Sequence, residues 1–306
     1  MRGRGLLRAA LMSGALLEGA EASEWPGATP FRNVAIAGGE APPQAIDTEH
    51  IFGFTEGTDI GAPGETEFES ETTGRFGRRG GRFQAIDSAL TLKVPVSSQF
   101  RLAPAVSFSR YALRNVPELR DVNTGHVDGA SLEARLRLLD RASAPFGLTL
   151  NVAPGFGGVD GASGRRARSY GADFGVFLDR EIVPGKLVAA LNLSYDMGST
   201  RLRAIGPTVR GSGTDVSAAL AYRALPGIFI GAETRYLRAY EGLGLDRFVG
   251  QAVYVGPTFY ASLPAGVWVS VAWSAQVAGG AAGTGERLDL TSFDRHQVRL
   301  RIGGHF

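Results

Sequence analysis

Between Glu65 and Phe306 the apolar and polar residues alternate with a period of two. Val267, Val269, Val271, Trp273, Ala275 and Val277 share one face of such a stretch, and Trp268, Ser270, Ala272, Ser274 and Gln276 share the other. Helical geometry would scatter those apolar residues round an axis, whereas a strand puts them on one side. Residues 187–196, 169–178 and 296–306 pass the same test. The pattern predicts twelve strands near 65–76, 83–94, 100–111, 127–138, 146–155, 169–178, 186–197, 212–222, 228–237, 251–263, 267–277 and 296–306. Most are about ten to thirteen residues long, where a globular strand has ~5–6 and a tilted membrane strand ~9–11. Short Pro-containing turns at 95–99, 139–145, 179–185, 223–227 and 264–266 alternate with longer Gly-rich loops at 112–126, 156–168, 198–211, 238–250 and 278–295. Short turns on one side and long loops on the other are the arrangement of a transmembrane barrel.

Charge separates the two faces. The apolar face carries Asp128 near a strand end, His296 at a strand start and almost nothing else charged. The opposite face carries the acidic ladder Glu65, Glu67, Glu69 and Glu71, with Arg101, Glu133, Arg135, Arg137, Asp173, Glu233, Arg235, Arg299 and Arg301. A soluble sandwich hides its apolar face, while a membrane barrel turns it to lipid. Phe248 to Gly285 holds no Asp, Glu, Lys, Arg or His and is long enough for one helical span, but Pro257, Pro264 and the alternation with Ser, Thr, Tyr and Gln argue for strands. The fold class is therefore all-β, a single antiparallel up-and-down transmembrane barrel.

The final stretch Val298-Arg299-Leu300-Arg301-Ile302-Gly303-Gly304-His305-Phe306 resembles the last strand of Gram-negative outer-membrane β-barrel proteins, over about residues 65–306. The run from Phe52 to Gly61, followed by Gly64 to Glu69, also resembles an uncharacterised group of such proteins. The resemblance implies a bacterial outer-membrane location, outer-membrane lipid and lipopolysaccharide as surroundings, and the barrel-assembly machinery as a partner that reads Phe306. It supplies no activity and no cofactor. Phe76, Phe83, Phe100, Tyr111, Phe146, Tyr170, Tyr195, Tyr222, Tyr236 and Phe306 lie near strand ends and read as interfacial girdles.

Ahead of the strands the pattern changes. Residues 1–22 combine Arg2 and Arg4, a short apolar stretch broken by Arg8 and Glu18, and Ala20-Glu21-Ala22, the layout of a signal peptide; a short amphipathic helix is the alternative. Residues 23–63, with Pro26, Pro30, Pro42, Pro43 and Pro63, read as an irregular periplasmic leader or plug, and residues 64–306 as the barrel.

Composition adds exclusions. Thirty-two Lys plus Arg against 30 Asp plus Glu leaves +2, which does not suit a nucleic-acid binder. The absence of cysteine excludes disulfides and thiolate sites. Glycine, 43 of 306 residues, suits turns and strands. Four carboxylates on one strand face repel and need cations. In a closed barrel the first strand pairs with the twelfth, so Glu65 or Glu67 is expected nearest Arg301 or His305, and Glu69 or Glu71 nearest Arg299. A cation-guiding ladder and a salt-bridged seam are both open, and the seam is preferred because its partners are present. Mixed sign along the interior argues against one strong selectivity field. His126 with Asp121 and Asp128, and His296 with Asp289 and Asp294, are candidate base–orienter pairs, but no nucleophile motif accompanies them, so no catalytic residues are assigned. No His pair or carboxylate cluster has metal-ligand spacing along the chain, and no cofactor is expected. Arg75, Arg78, Arg79 and Arg82 form a basic tip on the first hairpin, either solvated or touching lipopolysaccharide phosphate. Two functions stay open: a narrow channel or transporter for small polar solutes, and a non-conducting structural or surface-binding barrel. An open polar lumen favours the first and a leader-plugged one the second.

Overall fold

In the computed structural model, which describes residues 46–202 and 206–306, the sheet closes on itself as an antiparallel barrel. Its strands are β1 (Glu67–Phe76), β2 (Arg82–Pro95), β3 (Phe100–Arg114), β4 (Val122–Leu139), β5 (Gly147–Val159), β6 (Arg166–Val183), β7 (Leu187–Leu202), β8 (Val209–Leu225), β9 (Ile228–Glu241), β10 (Arg247–Ser262), β11 (Val267–Ala281) and β12 (His296–His305). Every predicted strand is present, and each pairs with its sequence neighbours. β1 closes the ring on β12, with Glu71 opposite Arg301 and Thr73 opposite Arg299. The charge-free stretch from Phe248 forms β10 and β11. The expected signal peptide, 1–22, and residues 23–45 of the expected leader or plug lie outside the described residues.

Ten of the twelve strands are longer than the pattern predicts, and most of the extra length lies on the long-loop side, with β6 and β8 also running on into their short turns. β4 and β6 reach 18 residues each. Much of 112–126, 156–168, 198–211 and 238–250, expected as loop, is strand. A residue advances about 3.3 Å along a strand, so these extensions rise well beyond a tilted bilayer span. Away from lipid the apolar alternation relaxes, and exposed Arg110, Arg114, Arg166, Arg168 and Arg201 sit on these upper ends. The polar, Gly-rich composition that reads as loop marks strand standing in water. The segment 282–295 is the one long connection among the described residues.

The outer face carries large apolar side chains such as Leu193, Leu220, Ile230, Trp273 and Ile302, each exposed by about two-fifths or more. An apolar band of this extent is stable only against lipid. Three sequence expectations fail at this level. Phe83 and Tyr111 are not girdle residues but are buried inside with Ala85, Leu113 and Val159, because they share the inward parity of Asp87 and Arg101. Asp128 does not face lipid. A bulge between β3 and β4 sets Ser107 opposite Gly129 and Phe108 opposite Val127, and the skipped Asp128 lines the interior. Arg75 and Arg78 do not project from the first hairpin: both are buried, and Arg78 Nε donates to Asp294 at 2.7 Å.

A plugged lumen as candidate functional site

Residues 46–61 lie inside the barrel. Thr48 and Asp59 meet, the Thr48 N–H donating to Asp59 Oδ2 at 2.9 Å, so the chain between them forms a loop with its ends together. Two glycines permit the closeness. A Cβ on Gly57 would stand 2.1 Å from the Thr48 carbonyl oxygen, and one on Gly53 would stand 2.4 Å from Ala272 Cβ on the wall.

The loop runs round the wall and is bound mostly by polar groups. Glu233 on β9 accepts the N–H groups of Phe54 and Thr55 at 2.8 and 3.1 Å. Asn192 on β7 exchanges two hydrogen bonds with the Glu56 backbone. Asp179 on β6 accepts from Thr58 N and Thr58 Oγ1, both at 2.8 Å, and Thr149 on β5 donates to the Thr58 carbonyl at 2.6 Å. Arg141, in the turn after β4, donates to Asp59 and to the Ile46 carbonyl. Glu56 reaches Arg135 at 3.2 Å and Arg299 at 3.8 Å. The apolar contacts are few: Ile46, Ile51 and Phe52 pack in one cluster with Val188, Ala190, Ala219, Ala221 and Phe229. Phe54 lies between the guanidinium groups of Arg235 and Arg299, 3.8 and 4.4 Å from its ring centre, a cation–π clamp.

The seam stands beside the loop's first half. Glu67 lies 3.3 Å from His305, and Arg299 lies 3.3 Å from Glu71. Arg301 binds Glu69 through two nitrogens at 3.1 Å each, not Glu65 or Glu67. Glu65 is outside the seam altogether: it precedes β1, is exposed, and its N–H turns back to the Ala62 carbonyl. The further cationic partner of this acidic ladder is Lys93, 2.8 Å from Glu67 and 2.6 Å from Glu69, and beside it Arg101 bridges Glu49 and Glu133. Burial alone would raise the Glu49 carboxyl, but Arg101 and Lys93 outweigh it and hold it well below the ordinary carboxylate range. Burial, seconded by Lys93, moves His50 below its ordinary value against the opposing pull of Glu49 and Glu67.

Above the loop is a cavity of about 430 Å³ towards the long-strand end. Asp173, Asp196 and Asp215 line it from β6, β7 and β8, and Arg75 and Arg299 from β1 and β12 across the ring. Below the loop, at the short-turn end, Ile46, Asp59, Arg137 and Arg141 border a second pocket of about 560 Å³. The candidate base–orienter pairs do not assemble. His126 bonds Thr124 at 3.0 Å, Asp121 accepts the Asn115 N–H, and Asp294 is bound to Arg78. His296 stacks on Trp273.

Sequence reading placed Glu49, His50 and Asp59 in the leader or plug but gave them no role there, and it missed Asp179 and Arg141. The available signal was the small inward residues Ala190, Ala219 and Ala221, which leave room on the wall for a further segment.

A family of unknown function, DUF6662, matches residues 44–306, which takes in the internal loop as well as the barrel. No curated protein matches in sequence. The fold is similar to that of the COG4313 outer membrane channel from Pseudomonas putida F1, with a TM-score of 0.56, 14% identity, and 81% of this chain covering 98% of that one. It is also similar to the β domain of the Bordetella autotransporter BrkA, with a TM-score of 0.50, 13% identity, and 79% of this chain covering 99% of that one. The architecture is that of a bacterial outer-membrane β-barrel.

Proposed function

Since this chain belongs to DUF6662, a family whose function is unknown, we propose a reading from its geometry: a narrow outer-membrane channel for small polar solutes, held shut by its own residues 46–61. One observation carries it. The loop that fills the lumen is fastened mainly by groups that water can replace, namely Glu233, Asn192, Asp179, Arg135 and Arg299. A filling segment needed only for stability would be served by apolar packing. Withdrawal of this loop leaves a charged wall that water solvates at little cost, and the cavities above and below it become one path. The mixed charge of that path suits small polar solutes of either sign.

The test is planar-bilayer conductance of the full chain, of Glu233→Ala, and of a variant lacking residues 46–61, each checked for heat-modifiable mobility. The full chain is expected to be mostly closed, Glu233→Ala to flicker open, and the deletion to conduct in steady steps. A folded deletion variant that does not conduct overturns the channel. The second reading, a non-conducting surface-binding barrel, then holds. Its support is the segment 282–295, whose Phe293 packs with Leu237, Ala252 and Tyr254 beside the outward cavity.

A further inference from the structure

We propose that His50, Glu67 and His305 form a binding site for one divalent transition-metal ion of the zinc class. The three residues come from the internal loop, β1 and β12, at the short-turn end of the seam. One nitrogen of each imidazole and one carboxylate oxygen lie within 4.8 Å of one another. Glu67 Oε2 is 2.8 Å from His50 Nε2 and 3.3 Å from His305 Nε2. A tetrahedral ion with bonds of about 2.0–2.1 Å sets its ligand atoms roughly 3.3 Å apart, so small side-chain adjustments complete the set.

A second observation points the same way. His50 is 2% exposed; its Nδ1 has no hydrogen-bond partner, and its Nε2 has only the Glu67 carboxylate, 2.8 Å away and off hydrogen-bond alignment. A buried imidazole served by one misaligned carboxylate is costly, and an ion set between Nε2 and Glu67 Oε2 relieves that cost. The surroundings already hold the ligands in place. The His50 ring stacks on Trp268 at 3.9 Å and 12°. The Trp268 indole N–H donates to Glu67 Oε2 at 3.2 Å. Lys93 engages Glu67 Oε1 at 2.8 Å, which leaves Oε2 as the single ligating oxygen. Glu69 Oε2 stands 3.9 Å from His50 Nδ1, within reach as the outer carboxylate that orients a metal-bound imidazole. His305, one-third exposed, leaves a route from solvent and a fourth position for water.

Two imidazoles with one carboxylate select zinc, copper or nickel over calcium and magnesium, which take oxygen ligands. An ion here ties the internal loop to both strands of the closure. The site stands or falls independently of whether the barrel conducts.

The test is calorimetric titration of the full chain, folded in detergent and stripped with chelator, with ZnCl2, and in parallel the visible absorption of added Co²⁺. Zinc is expected to bind one to one, and Co²⁺ to give tetrahedral bands that zinc displaces. His50→Ala and His305→Ala should each weaken zinc at least tenfold and together abolish it, while His126→Ala changes nothing. Heat-modifiable mobility reports folding, and His305→Ala, at the accessible end of β12, carries the test if His50→Ala does not fold. Absence of one-to-one binding in the wild-type chain, or binding that survives in the folded double variant, overturns the site.

Discussion

Arg301 and Arg299 differ in what surrounds them, although both face inward from the same strand. Arg301 is almost wholly buried and doubly bonded to Glu69, which is itself buried. Its removal leaves the buried Glu69 carboxylate with Lys93, 2.6 Å away, as its near cation, and breaking a buried pair costs up to about 3–5 kcal/mol. Arg299 and Glu71 are each about a fifth or more exposed, and water can replace their contact. Arg301→Ala is therefore expected to lower the urea midpoint of unfolding markedly, and Arg299→Ala to lower it by a small fraction of that. Equal midpoints for the two variants would show that the lumen at Arg301 is as wet as at Arg299.

Within the internal loop, Glu56 sets a direction for pH. Burial raises its carboxyl, but Arg301, Arg135 and Arg299 outweigh burial and hold it below the ordinary value of 4.5. A carboxylate with a depressed pKa in the docked state favours docking above the released value and loses that contribution as pH falls through the docked value. Loop docking should thus weaken below about pH 4.5, seen as more frequent openings in bilayer records taken at pH 4 than at pH 7. Fewer openings in acid would sink this assignment of Glu56. The loop is also where sequence reading stopped. The strands were legible because lipid on one side and water on the other force a period of two on Leu187 to Tyr195 or Val267 to Val277. Residues 46–61 meet wall residues in every direction, so no period marks them, and their partners Asp179, Asn192 and Glu233 lie more than a hundred positions away. Inward Glu69 and Arg301 were legible as a seam, but the share of Glu49 in it was not, since Glu49 belongs to no strand. Asp128 was misplaced because a bulge, which resets parity, leaves no signature in composition.

For the whole molecule, the outer band and the polar interior make opposite demands on substitution. Leu193 faces outward near the middle of β7, and an arginine there costs about 2–4 kcal/mol at the bilayer midplane. Leu193→Arg should fold less completely into vesicles than into detergent, as read by the heat-modifiable fraction, while Asn192→Arg, one residue away and inward, should fold alike in both and fail to seat the loop. Insertion of both variants to the same extent would contradict the facing. The contacts of the loop also fix an order of events. Its partners are spread from Glu67 to Arg299, and its Phe52 carbonyl accepts from Ser270, 218 positions later in the chain. Contacts so distant in sequence form late. Arg299 meets Glu71, and His50 has both Glu67 and Trp268 beside it, only once the first and last strands have joined, so seating of the loop is completed when the ring closes. On the channel reading proposed above, completion of the barrel and sealing of its bore become one step of biogenesis, and the envelope is spared the leak that a finished but unsealed pore would open.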